Sequence, residues 1–315
     1  MNSLTKLFVA LGVWCVSLGA ISAPKVVVTI APVHSLVAAV MQNVADPELL
    51  FPAARTPHGV GLKPSQVRTL VEADLAILVD PQFERSVIKA VQRNQGDGRA
   101  TGVITLSEVQ GIHLLSGRNI ALDIKRVTDN HTHGHHDHPA EGELDPHLWL
   151  STENASAIVS AVATHLMRLD PSNAATYQSN AQSLQDELNS MRSTISSLLQ
   201  DLQGNWLFFH DAYQYFEQEF NLTPMATVTV DPERQVSGKR LRNLAHLVET
   251  GELSCIYIEP QLRSNLVDRL VEETEIRVLT IDPLGSGLKP GPRLWFELMN
   301  NLADRLAACN ESKRA

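Results

Sequence analysis

Four side chains of the sequence stand where metal ligands are common. His58, His210 and Asp282 each follow a predicted β-strand, and His147 comes just before a predicted helix. Ligands of open α/β sheets bind at the carboxyl ends of the strands, so these side chains can meet in one cleft. Three imidazoles and one carboxylate form a set that Zn²⁺ accepts in tetrahedral geometry, at about 2.0–2.1 Å for each nitrogen. We therefore predict a metal site at these four residues.

Strand patterns alternate with helical patterns in two parts of the chain. In the first part the strand patterns lie at 25–30, 48–51, 75–79 and 102–106, and the helical patterns at 33–40, 64–72 and 84–93. In the second part the strand patterns lie at 206–209, 226–230, 255–258 and 277–281. Such alternation is typical of parallel sheets flanked by helices. It predicts an α/β fold with two lobes and the metal site in the cleft between them.

A long helical pattern separates the two parts. From Pro171 to about Leu202, apolar residues recur at three- and four-residue steps and form a single stripe. A coiled-coil partner is one explanation, but a spine that joins two lobes fits better because strand–helix alternation resumes beyond it. We therefore place an N-terminal lobe at 23–170, a linking helix at 171–203 and a C-terminal lobe at 204–315.

Residues 1–22 have the pattern of an export signal. Lys6 precedes an almost continuous apolar run at 7–21, and Ala20-Ile21-Ser22 is a small-x-small cleavage pattern. A retained anchor is the alternative, although the run is short for a membrane span. We expect residues 1–22 to be removed and the mature protein to be exported.

Composition narrows the classes of function. The chain has 315 residues, of which 43% are apolar and 19% are charged, and its formal net charge is −9. The apolar content suffices for a packed core, and the acidic balance argues against a nucleic-acid partner, which requires a basic face. Cys255 and Cys309 remain after signal removal. In an oxidising compartment they are expected to form one disulfide, and two separate buried thiols are the alternative.

One stretch of the chain is unusually rich in histidine. It holds His131, His133, His135, His136 and His138. Gly, Asp and Pro residues in and after the tract oppose regular structure, so we predict an exposed loop at 128–144. The tract is either a weak zinc scavenger that feeds the main site or a solvated, expendable loop.

Several motifs resemble those of the zinc-uptake substrate-binding proteins of bacterial ABC importers, the ZnuA-like family. They are His58 with Lys63-Pro64-Ser65, Pro146-His147-Leu148-Trp149-Leu150-Ser151, the stretch 210–217, Ile258-Glu259-Pro260-Gln261 and Asp282-Pro283-Leu284-Gly285. The resemblance covers 26–309. It implies that His58, His147 and His210 are metal ligands with Asp282 at the fourth position, and that Cys255 and Cys309 form a disulfide.

The resemblance also implies a function. The chain would be a monomeric periplasmic protein, not an enzyme, that captures Zn²⁺ as cargo and delivers it to the membrane permease of a zinc ABC importer. Related manganese and iron binders usually have Glu at the third ligand, so His210 favours Zn²⁺ over Mn²⁺ or Fe²⁺. A zinc hydrolase is disfavoured, because Asp282 would fill the open coordination position and the chain lacks a His-Glu-x-x-His motif.

The chain departs from the family pattern at two positions. Pro57 stands where some zinc-specific members have a Glu that can be the fourth ligand, so the fourth ligand here is Asp282 or a water. Thr152 stands where the family usually has Pro. Glu259 and Asp211 are candidates for the partners that orient a ligand imidazole.

Overall fold

The computed structural model describes residues 23–52, 61–94, 101–118, 144–202, 205–229, 236–260, 267–268, 271–272 and 274–309. Its first sheet consists of β1 (Val26–Val28), β2 (Glu48–Leu49), β3 (Leu75–Leu78) and β4 (Gly102–Thr105). The strands are parallel, in the order β2-β1-β3-β4. The connections contain α1 (Ala31–Val40), α2 (Pro64–Glu72) and α3 (Arg85–Asn94). This sheet and its helices form the N-terminal lobe.

The second sheet repeats this strand order. It consists of β5 (Trp206–His210), β6 (Ala226–Thr229), β7 (Cys255–Ile258) and β8 (Arg277–Thr280), in the parallel order β6-β5-β7-β8. The C-terminal lobe also contains α6 (Gln214–Glu219), α7 (Gly238–Glu249) and α8 (Leu294–Ala308). The α/β prediction with two parallel sheets is confirmed.

Two long helices separate the sheets in the sequence. They are α4 (Thr152–Leu169) and α5 (Ala174–Leu199). Most of the predicted apolar stripe of α5 is buried, from Tyr177 to Leu199, but Leu198, which the pattern also assigns to it, is exposed. The helix begins later than predicted, because 171–173 forms a 3₁₀ turn. Asn173 of this turn and Tyr177 of α5 both donate to Asp170 Oδ2.

Alternating side chains of the strands pack into different cores. Val26 and Val28 of β1 and Phe208 of β5 belong to one large core that both lobes share. Val27 of β1 packs into an outer core of the N-terminal lobe, and Leu207 of β5 into an outer core of the C-terminal lobe. Successive side chains of a strand point to opposite faces, so each sheet is covered on both sides. The shared core fixes the carboxyl ends of the two sheets relative to each other.

A disulfide joins β7 to the end of α8. Cys255 and Cys309 are bonded, with their Cα atoms 6.0 Å apart, which confirms the predicted pair. In the part of the chain that the structure describes, no helix is long and apolar enough to cross a membrane. The predicted signal at 1–22 and the histidine tract at 131–138 lie outside the described residues.

Candidate metal site

His147 is oriented by a carboxylate two residues before it. Asp145 Oδ1 accepts the backbone N–H of His147 at 3.0 Å and lies 2.8 Å from its Nδ1. Both side chains are buried. A Pro between them and a 3₁₀ turn at 148–150 hold the backbone compact. The Asp145 carboxylate therefore accepts a hydrogen bond from Nδ1–H, and Nε2 is the nitrogen that a metal would bind.

His210 is oriented by a carboxylate from the neighbouring strand. It is the last residue of β5, and Glu259 directly follows β7, which pairs with β5. Glu259 Oε1 lies 2.7 Å from His210 Nδ1 and accepts the Tyr213 hydroxyl at 3.4 Å. Burial opposes the charged form of the His210 imidazole, but the Glu259 carboxylate prevails and raises the pKa. A metal at Nε2 would gain the same electrostatic support.

The two oriented imidazoles face each other across the lobes. The ring centroids of His147 and His210 are 5.2 Å apart, with the planes at 75°. Trp149 and Phe83 pack beside His147, at centroid distances of 5.3 and 6.5 Å. Two imidazoles at this separation can share one ion at zinc–nitrogen distances of about 2.0–2.1 Å after small side-chain adjustments. The structure thus brings together two of the four predicted ligands.

Asp282 lies in a turn just after β8, and its carboxylate is used by the backbone. Its Oδ1 accepts the N–H groups of Leu284 at 2.9 Å and Gly285 at 3.1 Å, and its Oδ2 accepts the Ser286 N–H at 2.6 Å. Gly285 has φ +66°, and a Cβ there would lie 3.2–3.4 Å from three leucine side chains, so the turn requires glycine. Within the described residues, no three His, Cys, Asp or Glu side chains form a group that could hold a metal. Asp282 therefore does not join the histidine pair here.

Trp149 connects the Asp282 turn to the His147 segment. Its indole N–H donates to the Pro283 carbonyl at 2.8 Å, and its own carbonyl accepts the Trp295 indole N–H at 2.8 Å. The remaining predicted ligand, His58, lies outside the described residues.

The sequence predicts some of the carboxylates beside the two imidazoles and misses another. Glu259 was a candidate partner of a ligand imidazole, and the structure places it on His210. Asp211, the other candidate, pairs with Arg118, and its charge also helps to raise the pKa of His210. Asp145 has no predicted role, although an Asp two residues before a His is a recognisable signal, because its side chain can bond the backbone two residues on.

Two parallel-sheet lobes with a pair of carboxylate-backed imidazoles where they meet define a two-lobed metal-binding protein. A family model described as zinc-uptake complex component A periplasmic, ZnuA, matches residues 26–309. The high-affinity zinc uptake system protein ZnuA of Brucella abortus (strain 2308) is 32% identical over 339 residues, covering 98% of this chain and 99% of that protein. The Yersinia pestis protein of the same name is 29% identical and covers 92% of each. The chain belongs to the ZnuA family.

The fold of the chain matches that of solved relatives. The chain in a crystal structure of ZnuA is 22% identical in sequence to this chain. The two structures superpose with a TM-score of 0.75 over 92% of this chain and 100% of that one. The family consists of periplasmic components of zinc uptake. The prediction of a zinc-transport binding protein that is not an enzyme is therefore confirmed, and the manganese, iron and hydrolase alternatives are not supported.

Proposed function

We propose that the mature chain captures one Zn²⁺ with His58, His147, His210 and Asp282 and hands it to the membrane permease of an ABC importer. The observation that supports this most is the His147–His210 pair, with ring centroids 5.2 Å apart. Each Nδ1 lies against a carboxylate, which is the arrangement that raises the basicity of metal-binding imidazoles. Nitrogen donors of this kind favour Zn²⁺ over the harder Mn²⁺.

Asp282 is the fourth ligand in this proposal. Its Oδ1 and Oδ2 accept hydrogen bonds from the backbone, which favours the ionised carboxylate that a metal requires. With the Ser286 hydroxyl, Asp282 accepts four hydrogen bonds, as many as a carboxylate has lone-pair sites, so one of these bonds must break when the metal binds. Trp149 bonds to Pro283, next to Asp282, and would carry this turn toward His147 when the site fills.

The proposal divides the site between the two lobes. His58 and His147 belong to the predicted N-terminal lobe at 23–170, and His210 and Asp282 to the predicted C-terminal lobe at 204–315, joined through 171–203. The mature protein would act as a monomer in the periplasm after removal of residues 1–22. Sedimentation of the mature protein and fractionation of cells that express the full chain test these two points.

Competition against a chromophoric chelator tests the ligand set. We expect one tight Zn²⁺ per mature chain, and a loss of affinity of more than a hundredfold in His147→Ala and in His210→Ala. His246→Ala is the matched control, because His246 is exposed on α7, and it should bind as the wild type does. His210→Glu should shift the preference toward Mn²⁺. A wild-type protein that binds Mn²⁺ more tightly than Zn²⁺ contradicts the proposal.

Delivery to a permease has its own test. Proteoliposomes that contain the cognate permease and its ATPase should take up zinc only when the loaded mature protein is present outside. The His210→Ala protein should not support uptake at the same zinc concentration. Equal uptake with and without the binding protein contradicts the proposed delivery step.

A further inference from the structure

Arg118 forms an ion-pair network between the two lobes. It lies outside regular structure, in the segment that follows the 3₁₀ turn at 106–108 of the N-terminal lobe. Its Nη2 is 2.9 Å from Asp211 Oδ1 and 2.5 Å from Glu217 Oε2, and its Nε donates to both Asp211 oxygens at 3.2 and 3.3 Å. Asp211 follows β5 and Glu217 lies in α6, so one guanidinium joins segments of both lobes.

Both partners of Arg118 are buried carboxylates. The side chain of Asp211 is 5% exposed and that of Glu217 is 2% exposed. Burial raises the pKa of Glu217 to about 7, and the Arg118 guanidinium opposes that rise. Removing one partner of a buried ion pair is strongly unfavourable because the remaining charge has lost its compensation. Without Arg118, the two carboxylates would stay buried without the cation that compensates them.

Neighbouring hydrogen bonds connect the Arg118 segment to the proposed metal ligand His147. The Leu115 N–H donates to the Tyr215 hydroxyl at 3.0 Å, and that hydroxyl donates to the Asp145 carbonyl at 2.8 Å. Asp145 in turn orients His147. Helix α6 therefore holds the Arg118 segment and the His147 segment together, on the lobe that carries His210.

We propose that Arg118 is a positioning residue that strengthens zinc binding by holding the lobes where His147 and His210 face each other. This inference rests on the proposed function. The Arg118 contacts span the lobes, so they stabilise that arrangement, and any ligand that binds the same arrangement gains from them. The positive charge of Arg118 acts in the opposite direction, because it repels a cation bound nearby. Weaker zinc binding after its removal therefore identifies positioning and not charge.

Zinc affinity and dissociation rate of the mature protein test this role. Arg118→Ala should raise the zinc Kd at least tenfold, mainly through faster dissociation. Arg118→Lys should recover part of the loss, because an ammonium keeps the charge but cannot bridge two carboxylates as a planar guanidinium does. The matched control is Arg293→Ala, because Arg293 pairs with Glu187 on the exposed surface, and its Kd should stay within twofold of the wild type.

The outcomes separate this role from the alternatives. A folded Arg118→Ala protein with unchanged or tighter zinc binding overturns the proposal, even if its metal-free form melts earlier. If Arg118→Ala does not fold, Glu217→Gln is the variant that tests the proposal. It keeps the ion pair between Arg118 and Asp211 and leaves no buried carboxylate at position 217. It should bind zinc about threefold more weakly, and wild-type affinity in that variant overturns the proposal. A wild-type protein that binds no zinc defeats the proposed function instead.

Discussion

The two lobes have the same strand order, but the buried glutamate that follows the third strand has different partners in each. In each sheet the third strand, β3 or β7, lies beside the first, β1 or β5, and a buried glutamate follows it. In the N-terminal lobe, Glu84 Oε2 accepts the N–H groups of Val79 at 2.6 Å and Asp80 at 3.2 Å, within its own loop. In the C-terminal lobe, Glu259 faces His210.

This difference shows that topology supplies a buried position and the local sequence decides its use. Glu84 follows a turn, so its carboxylate returns to the end of its own strand. Glu259 comes directly after Ile258, and the paired strand β5 ends at His210, so the carboxylate and the imidazole meet at one sheet edge. A glutamate that follows the third strand therefore bonds its own loop in one lobe and orients the proposed ligand His210 in the other.

The covalent difference between the lobes predicts the largest effect. The bond between Cys255 and Cys309 pins β7 across a sequence separation of 54, whereas β3 contains no cysteine. Cross-linking a loop of this length stabilises the folded state by about 4 kcal/mol. The double variant Cys255→Ser/Cys309→Ser should lose about that much free energy of unfolding in urea titration.

Reduction of the wild-type protein provides the control for the serine substitutions. The reduced wild type and the double variant should unfold at the same urea concentration. A loss below about 1 kcal/mol would mean that β7 is held as firmly by packing as β3 is, and that the disulfide does not distinguish the lobes.

Glu84 predicts the next largest effect, a pH dependence of stability. Burial raises its pKa from 4.5 to about 7, against the lowering by its hydrogen bonds. Between those values the folded state binds more protons than the unfolded state, so the contribution of Glu84 to stability falls as pH rises. Between pH 4.5 and pH 8, the free energy of unfolding of the wild type should fall by up to about 3 kcal/mol relative to that of Glu84→Gln.

Urea titrations of both proteins in the presence of a chelator measure this difference. At each pH, the free energy of unfolding of Glu84→Gln is subtracted from that of the wild type, which cancels the titration of all other groups. Parallel stability curves for the two proteins would show that burial does not raise the pKa of Glu84 and would contradict this prediction.

Zinc affinity tests whether Glu259 and Glu84 differ in their effect on metal binding. Mutating a residue that orients a metal-binding imidazole typically costs 10–100-fold in affinity, or about 1.4–2.7 kcal/mol. Glu259→Gln should show a loss in this range, whereas Glu84→Gln should bind zinc within a few fold of the wild type. If the two substitutions weaken zinc equally, Glu84 also supports a ligand and the lobes do not differ in this respect.

Regular elements were predictable because periodicity is local. The bounds of α2 and β7 match the prediction, since each is a strongly patterned run that ends at clear signals. His210 and Asp282 also lie at carboxyl ends of strands, as predicted: His210 is the last residue of β5, and Asp282 lies in the turn after β8.

The rest of the site depends on contacts between distant residues. Arg118 and Asp211 are 93 positions apart, and no pattern near either residue marks the pair. Glu84 reads as an ordinary acidic residue before a helix, and only the folded loop shows that its carboxylate is buried. Such partners follow from three-dimensional packing, which local pattern does not encode.

The smallest predicted effect lies where the two lobes touch. The Thr152 N–H donates to Glu219 Oε2 at 2.7 Å, and its hydroxyl also donates to Glu219. Thr152 begins α4 in the N-terminal lobe, and Glu219 ends α6 in the C-terminal lobe. Pro suits the first helical position but cannot donate either bond. Thr152→Pro should therefore cost only about 1 kcal/mol of unfolding free energy.

Thr152→Val separates the two hydrogen bonds, because it keeps the N–H and removes only the hydroxyl. Its unfolding free energy in urea should fall between those of the wild type and Thr152→Pro. If Thr152→Pro is as stable as the wild type, Glu219 finds other partners, and Arg192 is the nearest cation that the structure offers it, at 3.3 Å. The contact of Glu219 at this point would then be an ion pair with Arg192 of the linking helix α5, and Thr152 would have no role in it.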